Sequence, residues 1–173
     1  MKAGARVRKV VLPAIFGALA LIFLFIAAVS PTGSWGIAAV AGLMPVAVVL
    51  AVGISAGFLC WAGVTILAFL LLPDKLMALL FGALFGLYPI VKGLIERLRR
   101  LPLEYLLKLA FFNVSLTVIY LTMRAAVLAS LPETLGTAVW VMYLAGNVIF
   151  LVYDYGLTKL IALYIKRIHK RAR

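Results

Sequence analysis

Apolar residues run along this chain in long unbroken blocks rather than alternating with polar ones. A helix needs about 20 apolar residues to cross a bilayer, and the blocks have that length. The strands of a membrane barrel would instead switch character at every second position. The pattern predicts six helices, at about 10–29, 36–55, 58–72, 76–91, 105–129 and 137–163, with a basic tail at 166–173. Turn residues separate them. "SPTGSW", Ser30 to Trp35, turns on Pro31 and Gly33, "GISAGF" makes a short uncharged turn, and "PDK" (Pro73 to Lys75) and "SLPETLG" end two further blocks. Pro45 is expected to kink the second helix. Lys92 to Glu104 reads as a charged, amphipathic connector. The joint between helices two and three carries no charge, so a re-entrant reading with four or five spans is the alternative there.

Composition explains why the blocks are so long. Apolar residues make up 66% of the 173 positions, and mean hydropathy is +1.20. Soluble domains are nearer half apolar. Lipid is therefore the expected solvent, and only helices and closed barrels satisfy their backbone in it. The reading is an all-α integral membrane protein: one domain, residues 1–173, with six transmembrane helices in a lipid bilayer.

Charge then orients the chain. Lys and Arg number 17 against 5 Asp and Glu. No basic surface interleaved with stacking aromatics is present, so nucleic acid is a poor partner. The basic residues instead flank the apolar blocks, where they set topology and meet anionic lipid. Placing the N-terminus inside puts Lys2, Arg6, Arg8, Lys9, Lys92, Arg97, Arg99, Arg100, Lys108, Lys166, Arg167, Lys170, Arg171 and Arg173 on the cytoplasmic side. The outer side keeps Lys75, with Arg124 approaching it. Both termini are then cytoplasmic. The first block is long for a signal-peptide core and reads as a retained anchor.

Polar residues inside the blocks are the candidate chemistry. Asn113, Thr117, Tyr120 and Arg124 share one face of helix five; Tyr143, Asn147, Asp154 and Thr158 share one face of helix six. If these helices form a hairpin turning near Glu133, Asn113 lies level with Asp154, Tyr120 with Asn147, and Arg124 with Tyr143. A carboxylate in hydrocarbon needs a partner or a task. For Asp154, Asn113 is the candidate donor, and Lys92 and Lys108 are candidate counter-charges. It is either a structural brace or a proton-linked group. Arg124 is either a residue reaching for outer headgroups or, with Tyr120, Tyr143 and Asn147, the anchor of a small-molecule ligand. Gly82 and Gly86, Gly53 and Gly57, and Ala14 and Ala18 form small-xxx-small pairs. Such pairs permit close backbone approach within the chain or against another subunit. Cys60 is the only cysteine, and His169 the only histidine. Neither a metal-ligand cluster nor a hydrolase or Walker motif occurs, so no cofactor and no enzyme activity are expected.

Three segments carry a family resemblance: "LIFLFIAAVSPTGSWGIAAVAGLMPVAVVLAVGISAGFLCWAGVTILAFLLLPDK", "GLYPIVKGLIERL" with "LKLAFFN", and "GNVIFLVYDYGLTKLIALY". They are similar to small uncharacterised membrane proteins of Gram-positive, clostridial type. Those proteins resemble the substrate-binding S components of energy-coupling-factor (ECF) transporters. The resemblance implies an S-component-like six-helix bundle holding a vitamin-like solute near the outer face. It also implies partners, a transmembrane coupling subunit and two ATPases. Small residues on helix one, here Ala14 and Ala18, would meet the coupling subunit. The N-terminal metal-binding histidine of nickel and cobalt members is absent. The expected function is a substrate-binding importer subunit; the alternatives are a non-catalytic membrane scaffold or a proton-coupled transporter using Asp154.

Overall fold

The computed structural model describes residues 2–122, 124 and 139–171, and among them it is helical with no strand. The turn expected at 130–136, with Glu133 at its tip, lies outside the described residues. So do the last residues expected of helix five and Arg173. Two compact units form, Met1–Val127 and Leu128–Arg173. Among the described residues, six helices are long and apolar enough to cross a membrane: Lys9–Val29, Ser34–Ala51, Ile54–Leu71, Lys75–Leu98, Leu101–Thr122 and Trp140–Leu163. Continuous apolar blocks thus locate all six helices, with ends displaced by a few residues.

The first unit contains α1 (Lys2–Val29), α2 (Ser34–Ala41), α3 (Leu43–Ala51), α4 (Ile54–Leu71), α5 (Lys75–Leu80), α6 (Tyr88–Ile95) and α7 (Leu101–Thr122). The second contains α8 (Val139–Arg171). Helices two and three of the sequence reading are separate full-length segments. Their break falls at Val52–Gly53, where Gly53 has φ 127°, a conformation that side chains with a Cβ rarely adopt. The second helix is interrupted at Gly42, three residues before Pro45. Proline has no N–H to donate to the carbonyl of Ala41, four residues earlier, so the ladder opens there.

The "PDK" turn uses both of its charges locally. Asp74 Oδ1 accepts from the Leu76 N–H at the start of α5 (2.9 Å). Lys75 Nζ donates to the carbonyls of Phe69 and Leu72 at the end of α4 (2.8 and 2.7 Å). Each charge thus sits at the helix end whose dipole favours it.

The segment Lys75–Leu98 is the centre of the first unit: α5 and the turn after it pack on α4 and α7, and α6 packs on α7 and α3. Of its apolar window 67% is buried, against 22–33% in the other five long helices. Its helix is irregular. Phe81–Phe85 forms a π-turn, with the Gly86 N–H donating to the Phe81 carbonyl at 2.8 Å. Pro89, which has no N–H for the Phe85 carbonyl, follows directly. Beyond α6, a 3-10 turn at Glu96–Leu98 ends on Arg99, which takes the left-handed φ of 52°. The expected connector over 92–104 is therefore mostly helix: α6 continues through Lys92, and α7 starts at Leu101. Lys92 reads as an end signal in sequence because it is charged, but in the fold its charge is matched within the segment.

Candidate functional site: one carboxylate between two buried lysines

Helical spacing places Lys92 and Glu96 one turn apart on the central segment, and their charged atoms meet at 2.9 Å. From the facing helix α7, Lys108 reaches the same Glu96 Oε1 at 2.8 Å. Lys92 is 1% exposed, whereas the Glu96 side chain is 39% exposed. An ammonium removed from water is costly unless a counter-charge lies within hydrogen-bond reach. The shared carboxylate supplies one to both lysines and ties α7 to the end of the central segment. Glu104, also buried, lies in the first turn of α7, where the helix dipole favours a negative group. Tyr88 is fully buried and stacks at a tilt on Phe111, with centroids 5.8 Å apart. The cluster holds no nucleophile–base pair. Chemically it is an electrostatic clamp between two helices. Glu96 was missed in the sequence reading, although its i,i+4 spacing from Lys92 was visible.

The π-turn is held by shape. Trp61 Nε1 on α4 donates to the Gly82 carbonyl at 2.9 Å. A Cβ on Gly82 would lie 2.7 Å from Thr65 Cγ2, and one on Gly86 would lie 2.8 Å from Phe81 and 2.9 Å from Trp61. A Cβ on Gly42 would collide with the Phe85 carbonyl oxygen. Of the two uses read for Gly82 and Gly86, close approach within the chain or a partner interface, the fold shows the first: both are buried and packed inside the chain. The cause is simple: Thr65 and Trp61 of α4 fill the notch that the two glycines leave.

Ala14 and Ala18 are exposed. The buried line of α1 is Gly17, Ala20, Leu24 and Ala27, on another face of the helix. Gly17 passes close to Val64, and Cys60 Sγ lies 3.5 Å from the Pro13 carbonyl.

On α7 the buried line is Glu104, Lys108, Phe112, Ser115 and Ile119. The expected polar line runs beside it: Asn113, Thr117 and Tyr120 are half-buried, and Arg124 is exposed. The Arg124 guanidinium stands 5.9 Å from the Tyr120 ring centroid. Tyr143 and Asn147 belong to the second unit, where both are half-buried on α8. Asp154 is buried and Thr158 exposed. Four of these side chains bond to the carbonyl one turn back: Asn113 to Leu109, Thr117 to Asn113, Asn147 to Tyr143, and Thr158 to Asp154, all at 2.7–2.8 Å. Such bonds keep a polar side chain satisfied on its own helix. Among the described residues, no group of three or more His, Cys, Asp or Glu side chains is placed to hold a metal ion.

Comparison of the chain with protein-family models, with curated proteins and with solved structures gives no match.

Proposed function

We propose that this chain is a multi-pass membrane protein with both termini in the cytoplasm, acting as a non-catalytic solute-binding subunit of an ECF-type importer. The observation that carries the membrane part is the outward surface. Five of the six long helices bury a third or less of their apolar window, and the exposed remainder includes Leu59 at 74%, Leu70 at 71% and Leu121 at 73%. A surface so apolar over so many helices suits lipid, not water. The importer part is supported by the three-segment resemblance and by the polar residues set into α7 and α8. In this reading Arg124 and Tyr120 are the ligand contacts of the first unit, Tyr143 and Asn147 those of the second, and Ala14 and Ala18 the coupling-subunit contacts. Asn113 and Lys92 brace the inner half of the first unit, and Asp154 that of the second.

The test is purification of the full chain from its native membrane, followed by mass spectrometry. A co-purifying coupling subunit with an ATPase pair, and a small solute lost in Arg124→Ala, are the expected results. A chain that purifies alone and carries no solute would refute it. The scaffold reading has its own support in the dense packing around the π-turn, where three glycines are closed off by neighbouring helices.

A further inference from the structure

The segment 94–106, "LIERLRRLPLEYL", has three arginines and two glutamates, a nearly balanced stretch in sequence. Folding sorts these charges. Glu104 is buried, and Glu96 is engaged by Lys92 and Lys108. Arg97, Arg99 and Arg100 are all exposed. Around them stand Leu94, Leu98, Leu101 and Leu103, which are 39%, 48%, 69% and 37% exposed. The tip where the central segment turns into α7 therefore presents guanidiniums and leucines together, and its acids are turned away or neutralised.

The backbone adds a second, independent sign. Arg99 caps the helix in the left-handed conformation, which costs a residue with a Cβ about 1 kcal/mol and glycine nothing. Strain of this kind at an exposed position points to a use for the side chain.

We propose that this tip binds the anionic phospholipid of the cytoplasmic leaflet, with Leu98 and Leu101 entering the acyl boundary and the three arginines meeting phosphate headgroups. The proposal rests on the membrane reading above. Apolar side chains flanked by basic ones suit the boundary between headgroups and acyl chains. Each basic group near a negative surface strengthens attachment severalfold. Arginine also forks onto phosphate with two hydrogen bonds.

The test uses the full chain with Cys60→Ala and Leu98→Cys, labelled with an environment-sensitive fluorophore and reconstituted in nanodiscs. The discs contain either brominated phosphatidylglycerol or brominated phosphatidylcholine at equal mole fraction. Quenching by the phosphatidylglycerol should be at least twice that by the phosphatidylcholine. Adding Arg97→Gln, Arg99→Gln and Arg100→Gln should bring the two to equality, whereas the triple Arg→Lys variant should keep part of the preference. Equal quenching before any arginine is changed overturns the proposal. Quenching by neither lipid also overturns it and leaves an acidic protein surface as the partner. A label at Ile66→Cys, on the exposed face of α4, separates the two failures. If that label is quenched and Leu98→Cys is not, only the tip proposal has failed; if neither is quenched, the membrane reading itself has failed.

Discussion

The middle of the segment Lys75–Leu98 and its far end are held by opposite means. Near the π-turn nothing is charged: Gly82 and Gly86 leave a notch, Trp61 and Thr65 fill it, and Gly42 lets another backbone touch the Phe85 carbonyl. At the far end the packing includes two buried ammoniums on one carboxylate oxygen. The middle depends on volume and has no room for an added carbon at Gly82 or Gly86; the far end depends on charge. A helix can be the most buried of six and still carry a lysine, provided a counter-charge comes along at i+4, and the same carboxylate can hold a second lysine from the neighbouring helix.

This contrast predicts a graded set of responses. Gly86→Leu should be the most damaging change. Its side chain would have to displace both Phe81 and Trp61, and the loss should be about 3 kcal/mol, read as a lowered unfolding midpoint in detergent. At the charged end, Glu96→Gln keeps the shape and removes the counter-charge. The expected loss is about 2 kcal/mol, reduced from the fully buried case by the exposure of Glu96. If Glu96→Gln proved harmless while Glu96→Leu did damage, the charged end too would depend on volume, and the contrast would collapse. Trp61→Phe keeps a six-membered aromatic ring but deletes the hydrogen bond to the Gly82 carbonyl and part of the indole's volume, for about 1.5 kcal/mol in the same assay. Asp154→Asn should leave the chain assembled if hydrogen bonding is what Asp154 supplies; aggregation of this variant on size exclusion would show that the negative charge is required. Smallest of all, Ala14→Leu on the exposed face of α1 should change stability by no more than about 0.5 kcal/mol. In the importer reading it should still block recovery of the coupling subunit.

The sequence shows where helices lie much better than it shows which side faces in. The six apolar blocks found six helices because the signal is long and continuous. On α1, however, apolar residues occur all round, so nothing in the spacing separated exposed Ala14 and Ala18 from buried Gly17, Ala20, Leu24 and Ala27. The Gly82–Gly86 pair was legible as a site of close approach, but its neighbour on α4 was not, because Trp61 and Thr65 lie about 20 residues away along the chain. Lys92 was taken for the edge of a helix, since a charge in an apolar run ordinarily marks one. Finding the clamp required Lys108, a long-range partner that no local pattern announces. The polar lines on α7 and α8 were visible from their spacing. Their side chains' bonds to their own backbone were not, because an i−4 carbonyl is always within reach and sequence does not say whether it is used.

The account depends most on the outward apolar faces meeting lipid. Single cysteines at Ile66, Val118 and Val148, all exposed, can be placed in a Cys60→Ala background and treated in sealed native membranes with a water-soluble maleimide or a lipid-soluble one. The account predicts reaction with the lipid-soluble reagent alone at all three positions. Rapid labelling of Ile66→Cys or Val118→Cys by the water-soluble reagent in intact, folded protein would contradict it.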